Sequence, residues 1–519
     1  MTAIPFHSAA PPSVRGACPG LSTPMPTGDG LLARMGFDAA ISVEHLMRIA
    51  TLAKRYGNGL IDISARGNLQ LRGLTTESAQ ALENDLGGMN LPLREGVPVE
   101  TGALSGRDPA EIANAEPLAS AIRAVLREDK LSGRFAAKFT IVVDGGGQLP
   151  LHALLADIRL QATRRANALY WQIFLGGTAT TGRSVGRVRD ADAKSCVASI
   201  LARLVAMTPP PRGRDLDPEQ VRAWLGDAVS DKPAETVGST VPAFGLLPIT
   251  ACPATPLSRP ATLRGTETCD RRLEDGRATR PPPPSTHDPA FGGSAAAPEN
   301  SLASKQKAGG EIRTPPIRED DAPFAVRIGI PFGQCHADTL IALARRAEDF
   351  GVKFVRPASD HSLVFFANES ACRNLMAFSK DLILSPHDPR ARIAACPGKP
   401  ACMSASLNTH ALGETTARQA ADLLDGSFTL HLSGCSKGCA HPTASLLGLV
   451  GTNEGTALIF RGKTSDMPLK FIRHGQEERA ISVLAALVRL ERGIGETTSA
   501  CLSRLGPARL EQVLSQGLS

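Results

Sequence analysis

Four cysteines in the C-terminal half are the residues of this chain best suited to chemistry. They form two pairs, Cys396 with Cys402 and Cys435 with Cys439. Four thiolates in such a two-plus-two arrangement can ligate the irons of an iron–sulfur cluster, because sulfur is a soft, anionic ligand. A helix beginning after Gly434 would place Cys435 and Cys439 on one face. Since such clusters carry single electrons, the pattern indicates redox chemistry.

Disulfides and structural zinc are the alternatives for these cysteines. The chain begins without a basic segment followed by an apolar run, and its 11 cysteines are an odd number. A cytoplasmic protein with reduced thiols is therefore expected. Zinc suits the spacing of Cys435 and Cys439, but five residues separate Cys396 from Cys402, which exceeds the usual spacing of a zinc knuckle. The flanking glycines favour a cluster, because they let backbone N–H groups approach a bulky inorganic core.

Length and composition set the broad class of the protein. The chain has 519 residues, of which 42% are hydrophobic, so it is long enough for several domains. It contains no apolar run near the ~20 residues of a membrane span. The net charge of +6 is spread along the chain without a nucleic-acid recognition motif. It suits an anionic small substrate, provided that several arginines converge on one pocket.

The chain divides into two similar halves. Each half shows a helical pattern ended by glycine, then a strand, an arginine (Arg66 or Arg356) and a second strand. A later strand and glycine turn also recur, as Phe139–Gly146 and Phe428–Cys435. This repetition predicts an internally duplicated α+β protein, with two ferredoxin-like half-sandwich units and two mixed α/β domains.

The domain boundaries follow from the same pattern. Between the halves lies a Pro- and Gly-rich segment, predicted to be a disordered linker because it has few apolar residues to bury. The predicted units are a first ferredoxin-like half domain at 14–90, an α/β domain without cluster at 94–228, the linker at 250–323, a second ferredoxin-like half domain at 324–380 and a cluster-binding α/β domain at 385–510.

The chain resembles the sirohaem-dependent nitrite and sulfite reductase superfamily. The resemblance rests on the duplication, the cysteine spacing and the segment Ile63-Ser-Ala-Arg-Gly-Asn-Leu-Gln70. Within the superfamily the chain is most similar to the precorrin-3B synthases of aerobic cobalamin biosynthesis, through Gly16-Ala-Cys-Pro-Gly20, Ser404 after the second cysteine, and Gly434-Cys-Ser-Lys-Gly-Cys-Ala-His-Pro442. The reductases usually have Pro-Asn at Ser436-Lys437 and a second lysine near Lys138.

The resemblance implies a cofactor, a substrate and partners. It implies a [4Fe-4S] cluster on Cys396, Cys402, Cys435 and Cys439, and a mononuclear non-haem iron is a further candidate. The implied reaction is oxidation of precorrin-3A by O2, with hydroxylation at C20 and closure of a γ-lactone. A separate NADH-linked protein would supply electrons. The ligands of the second iron stay open among four histidines: His45, His336, His431 and His441.

Candidate substrate-binding residues come from the need to hold a polycarboxylate. Arg66 occupies the family's anion-binding position, and Lys138 matches a family lysine. Asn68, Gln70 and Arg72 alternate with leucines, which places them on one face of a strand. A weaker set comprises Arg94, Arg356, Lys399 and Lys437.

Two other functions stay open at this stage. A sirohaem-dependent nitrite or sulfite reductase would share the cluster, and in that case sirohaem would be a second cofactor. A non-catalytic electron-transfer protein would also need the cluster, but it would not need a large anion pocket.

Overall fold

A computed structural model describes residues 19–128, 131–230, 243–249 and 322–519. The described chain has twenty strands: β1 Met25–Thr27, β2 Gly30–Met35, β3 Ile41–Ser42, β4 Leu60–Ile63, β5 Leu69–Leu74, β6 Val99–Glu100, β7 Ile141–Asp144, β8 Ile158–Arg165, β9 Ala168–Leu175, β10 Arg183–Arg189, β11 Gly245–Pro248, β12 Phe324–Gly329, β13 Gln334–His336, β14 Phe354–Ala358, β15 Ser362–Ala367, β16 Ile393–Ala395, β17 Leu430–Ser433, β18 Ser445–Gly451, β19 Thr456–Gly462 and β20 Lys470–Ile472.

Ten α-helices accompany these strands in the described residues: α1 Val43–Tyr56, α2 Thr76–Gly87, α3 Glu116–Glu128, α4 Asp190–Ala206, α5 Pro218–Leu225, α6 Ala337–Asp349, α7 Glu369–Phe378, α8 Thr409–Gln419, α9 Glu477–Glu491 and α10 Thr498–Gly517. Their ends follow local chemistry. The Ser42 side chain accepts from the backbone N–H of His45 at the start of α1, and Gly57 follows its last residue.

Two five-stranded sheets belong to the ferredoxin-like units, and each takes one strand from the other unit. Their orders are β1-β2-β5-β4-β13 and β11-β12-β15-β14-β3. The short β13, which precedes α6, pairs antiparallel with β4, while β3, which precedes α1, pairs antiparallel with β14. Side chains from both units form one hydrophobic core, which includes Leu46 of α1 and Leu340 of α6. The two units are therefore interlocked through an exchanged edge strand.

The two α/β domains repeat one topology. One sheet has the order β6-β7-β8-β9-β10 and the other β16-β17-β18-β19-β20. In both, the first three strands are parallel and the last two are antiparallel. Each sheet has its own core, containing Trp171 in the first domain and Leu484 in the second. The duplicated α+β architecture predicted from the sequence is confirmed.

One detail of the sequence pattern is wrong. Arg66 lies in the turn between β4 and β5, but Arg356 lies within β14, where it pairs with Val364. The two arginines are therefore not equivalent. The residue that meets Arg66 from the second unit is Ser359, through an isolated antiparallel bridge.

Other predictions concern segments beyond the described residues. Nearly all of the predicted linker at 250–323 falls there, as do Cys18, Cys252 and Cys269. The predicted domain boundaries stay predictions. In the described part of the chain, no helix is both long enough and apolar enough to cross a membrane.

Candidate active site

The four cysteines follow two neighbouring parallel strands. Cys396 comes directly after β16, and Cys435 stands two residues after β17. Because β16 and β17 are parallel neighbours, their carboxyl ends meet at one edge of the sheet, where α/β sheets generally bind ligands. The backbone N–H of Gly434 donates to Cys396 Sγ at 3.1 Å. The fold therefore brings the two cysteine-bearing loops together, as the sequence predicted.

Glycines allow these two loops to pack closely. A Cβ on Gly398, whose φ is +60°, would lie 2.4 Å from Thr409 Oγ1. A Cβ on Gly434 would lie 2.6 Å from the Ala405 Cβ and 3.2 Å from the Cα of Gly398. The Ser406 N–H also donates to the Gly434 carbonyl at 2.8 Å. Only glycine fits at these two positions. The space beside the cysteine thiols therefore stays free of other side chains.

The thiols differ in exposure and in proton affinity. Cys396 is buried, Cys402 and Cys435 are half-buried and Cys439 is exposed. Burial raises the pKa of the Cys396 thiol, although N–H groups of Gly434 and Gly398 lower it, and burial likewise raises the pKa of Cys435. Neighbouring cysteine thiols raise both values further. Iron binding would relieve this, because a metal stabilises the thiolate form.

The segment after Gly434 is a turn and not a helix. Its tip is fixed by Lys437, whose Nζ donates to Ser404 Oγ at 2.8 Å, and by the Thr464 hydroxyl, which donates to the Ser436 carbonyl at 2.9 Å. The conditional expectation that Cys435 and Cys439 share a helix face is therefore wrong. The turn instead keeps Cys439 near the Cys396 and Cys435 thiols and also exposes it to a large cavity.

This cavity has a volume of about 760 Å³, within the range of about 300–1,000 Å³ typical of small-molecule and cofactor sites. Two topologically equivalent loops contribute to it, namely Pro150–Leu155 after β7 and Cys439–Ala444 after β17. The turns of the two ferredoxin-like units contribute Arg66, Asp360 and His361. Further apolar lining residues are Ile330, Phe332, Ile383 and Ile393. All four predicted units of the duplicated fold thus meet at this cavity.

Arg66 is the sequence-predicted anion ligand that reaches the cavity. Its Nη2 donates to the Leu155 carbonyl at 2.5 Å, whereas its Nη1 is buried without a hydrogen-bond partner among the described residues. The charge of Arg66 also contributes to lowering the pKa of buried Arg159 to about 10, although burial is the main cause. An unpaired N–H on a permanent cation is the type of group that a carboxylate satisfies.

Three further arginines line the cavity and were not predicted. Arg327 is buried against the Phe244 ring, 4.0 Å from its centroid, and donates to Ser362. Arg390 is paired with Asp388 at 2.7 Å. The guanidinium of Arg392, in the same turn, has no hydrogen bond or ion pair within the described part of the chain. Their sequence context gave no signal, because Arg327 reaches the cavity from β12 and the other two reach it from the short 3-10 turn Pro389–Arg392, and nothing local shows that these segments meet.

The cavity also contains unusual backbone. Phe332, Asp360 and His361 all line it, and all have positive φ values of +53°, +55° and +58°. The His361 Nδ1 lies 2.6 Å from the Ile63 carbonyl, which requires a proton on that nitrogen. Positive φ is strained for side chains of this size, and such strain concentrates at functional sites.

The remaining predicted substrate ligands lie outside this lining. Arg72 is 2% exposed and is bound by Asp29 and Asp62. The Gln70 side-chain oxygen accepts from the Arg34 guanidinium at 3.1 Å, and Asn68 is buried. Lys138 precedes β7, at the end of the strand opposite the loop that enters the cavity. Substrate binding by these four residues stays a prediction, and the geometry favours Arg66.

The weaker candidates also have other partners. Arg94 pairs with Glu100 at 2.7 Å, and Arg356 donates to Thr101 Oγ1. Of the histidines considered as iron ligands, His441 lines the cavity. His431 is buried, and its ring centroid lies 5.5 Å from that of His441. In the described residues, no group of three or more His, Cys, Asp or Glu side chains is arranged for a single metal ion.

Comparison with known proteins identifies the class. Residues 24–89 match the nitrite/sulfite reductase ferredoxin-like half domain. The Mycobacterium tuberculosis NirA structure aligns with a TM-score of 0.64, covering 92% of this chain and 84% of NirA at 15% identity. At this identity the alignment shows a shared fold. The chain therefore has the duplicated nitrite/sulfite reductase fold, as predicted.

A curated relative then specifies the family. A precorrin-3B synthase from Sinorhizobium sp is 32% identical over 508 residues, which covers 97% of this chain and 95% of the relative. The chain belongs to the precorrin-3B synthase family.

Proposed function

We propose that this chain is a precorrin-3B synthase that hydroxylates precorrin-3A at C20 with O2 and closes a γ-lactone from a ring A acetate. The observation that carries the proposal is the shared cavity, which Arg66 and Cys439 both line. An anion-binding guanidinium and a redox-active thiolate on one cavity suit the oxidation of a polycarboxylate. Family membership supports the choice of substrate.

The residues present fit a [4Fe-4S] cluster on Cys396, Cys402, Cys435 and Cys439. The Gly434 N–H already donates to a ligand sulfur, and the Gly398–Gly434 contact leaves room that a side chain would fill. Structural zinc would need four sulfurs about 2.3 Å from one ion, and the five residues between Cys396 and Cys402 exceed the usual spacing of a zinc knuckle. A cube of four irons spreads its thiolates more widely. When bound, the cluster supplies single electrons beside the cavity.

The described residues do not provide a ligand set for a mononuclear iron, so no step is assigned to one. Binding and orientation of the substrate are instead derived from the cavity. Carboxylates of the tetrapyrrole pair with Arg66 and Arg392, and its ring faces pack against the apolar side chains, including Phe332. Charge-assisted, bidentate contacts fix one orientation of the macrocycle.

The reaction balances with two electrons and two protons. One atom of O2 becomes the hydroxyl group on C20, and the other leaves as water. The ring A acetate adds its carboxylate oxygen to the ring carbon bonded to C20, which consumes the C=C bond between these two carbons, so lactone closure needs no further electrons. A separate NADH-linked reductase supplies the electrons, since the sequence has no dinucleotide fingerprint.

The test has a cofactor arm and an activity arm. Protein purified without oxygen is assayed for iron, sulfide and its paramagnetic resonance signal, alongside Cys435→Ser. About four irons and a cubane signal are expected for the wild type, and loss of that signal for the variant. Cys196→Ala is the control, because Cys196 lies in the core of the other α/β domain. A normal cubane signal in Cys435→Ser would contradict the ligand assignment.

The activity arm adds precorrin-3A, O2 and a reducing system. The expected product carries one additional oxygen atom and a lactone. A haem-type visible spectrum with sulfite or nitrite turnover would favour a reductase instead. A cluster without turnover of any of these substrates would favour an electron-transfer protein.

A further inference from the structure

Arg72 belongs to a buried network that ends at the cysteine loop. Its Nη1 donates to Asp62 at 2.7 Å, and its Nε and Nη2 both donate to Asp29 at 2.9 Å. The Nη2 also donates to the carbonyl of Ala401 at 2.5 Å, although 329 positions separate the two residues. Asp29 and Asp62 together bind all three guanidinium nitrogens. Burial lowers the pKa of Arg72, but the hydrogen bonds and charges of these two carboxylates raise it overall.

A second contact from the same unit reaches the same carbonyl. The N–H of Gly28, in the turn between β1 and β2, donates to the Ala401 carbonyl at 3.2 Å. A Cβ at Gly28 would lie 2.7 Å from the Pro400 carbonyl and 2.8 Å from the Met403 nitrogen. The first ferredoxin-like unit thus presses backbone directly against the loop.

The Ala401 carbonyl belongs to the peptide group that joins Ala401 to Cys402. Its carbonyl is held by Arg72 and Gly28, and its N–H, which belongs to Cys402, donates to the Gly398 carbonyl at 2.8 Å. Both polar groups of this peptide are therefore fixed. Because the peptide is planar, fixing both ends also fixes the backbone from which the Cys402 thiol projects.

We infer that Arg72 is a positioning residue for Cys402, so that the first ferredoxin-like unit fixes one ligand of the cluster bound by the second half of the chain. The inference rests on the proposed cluster and goes beyond it. Arg72 is thereby assigned to the cluster loop and not to the substrate. Lysine cannot replace it, because one ammonium group cannot serve two carboxylates and a carbonyl in this planar geometry.

The test compares Arg72→Lys with Arg94→Lys. Arg94 is also a buried arginine held by two acids, Asp38 and Glu100, but its remaining hydrogen bond goes to the Phe37 carbonyl, outside the cysteine loops. All proteins are purified anaerobically. The readouts are the line shape of the cubane signal and the rate at which iron is released to a chelator.

Arg72→Lys is expected to shift or broaden the cubane signal and to weaken iron retention by about 10–100-fold, as for other residues that orient metal ligands. Arg94→Lys is expected to match the wild type in both readouts. If Arg72→Lys does not fold, Gly28→Ala replaces it, since the added methyl group displaces the same loop. A normal cluster with wild-type retention in the variant tested would overturn the inference. Absence of a cubane from the wild type would instead overturn the proposed cofactor.

Discussion

The loops that follow β7 and β17 are equivalent in topology and line the same cavity, yet they are held by different chemistry. After β7, buried Asp144 accepts from the N–H groups of Gly146 and Leu151, and Arg159 donates to the carbonyls of Leu151 and Leu154. In place of this buried ion pair, the loop after β17 carries Cys435 and Cys439. This loop has few internal hydrogen bonds within the described part of the chain. One loop is held by its own buried ion pair and hydrogen bonds, whereas the other carries two ligands of the proposed cluster.

The largest expected difference between the loops concerns iron. Removing iron anaerobically with a chelator should greatly increase amide hydrogen exchange in residues 434–444, because the proposed cluster joins that loop to Cys396 and Cys402. Residues 145–156 should keep their protection, since Asp144 and Arg159 hold them. Hydrogen-exchange mass spectrometry of the loaded and stripped protein measures both at once. Equal changes in the two loops would contradict the comparison.

A variant of the first loop should have the opposite effect. Asp144→Asn leaves the buried Arg159 without the one carboxylate that lies near it among the described residues, 3.7 Å away. Breaking a buried pair of this kind costs about 3–5 kcal/mol. The free energy of unfolding in urea should fall by that amount while the iron content stays unchanged. The exposed Asp227→Asn is the control, and loss of iron from Asp144→Asn would show that the loops are not independent.

The two arginines that the sequence pattern matched also differ, because Arg66 lines the cavity and Arg356 lies within β14. Arg66→Ala should weaken binding of the tetrapyrrole substrate by about 1.5–3 kcal/mol, the usual value of a hydrogen bond to a charged group. The cubane signal should not change. Arg356→Ala is the matched control. The sequence pattern paired Arg356 with Arg66, but Arg356 lies in β14, so the dissociation constant of the substrate for this variant should match the wild type. Equal losses of substrate affinity in both variants would show that Arg66 and Arg356 have equivalent roles after all.

The smallest effect concerns one strand position. Residue 431 of β17 is a buried histidine where the equivalent residue of β7 is Val142. Burial, and then the neighbouring His441, lowers the pKa of His431 from 6.5 to about 4. Below pH 6.5 the unfolded chain therefore binds a proton that the folded chain rejects, so stability falls as the pH falls.

Urea unfolding at pH 7.5 and 5.5 measures this effect. The free energy of unfolding should decrease by about 1 kcal/mol more in the wild type than in His431→Val, since one pKa unit corresponds to about 1.4 kcal/mol. An identical pH dependence in the two proteins would show that folding does not lower the pKa of His431.

The sequence predicted those parts of the molecule that local patterns encode. The helix ended by Gly57 and the strands around Leu60 and Leu69 are present, and so are the two cysteine loops. The repeated order of elements also predicted the duplication. Arg356 was wrongly matched with Arg66. The repeated pattern of helix, glycine and strand predicts the order of the elements, but it does not predict at which residue each strand ends.

Long-range contacts were beyond a single sequence. Alternation correctly placed Gln70 and Arg72 in a strand, but nothing local shows that Arg72 meets Asp29, Asp62 and Ala401. The exchanged strands β3 and β13 have only two and three residues, too few for a periodic pattern. The cavity arginines Arg327 and Arg392 have the same limitation, since each depends on how distant segments meet.

The exchange of β3 and β13 has a consequence for the evolutionary history of the chain. A polypeptide of half this length would present one sheet edge with unpaired N–H and C=O groups and would extend a short strand with nothing to accept it. Two copies of such a polypeptide would satisfy each other by reciprocal swapping, as symmetric dimers do. A fusion of two such subunits leaves one copy free to lose the cysteines of the proposed cluster while the other copy keeps them.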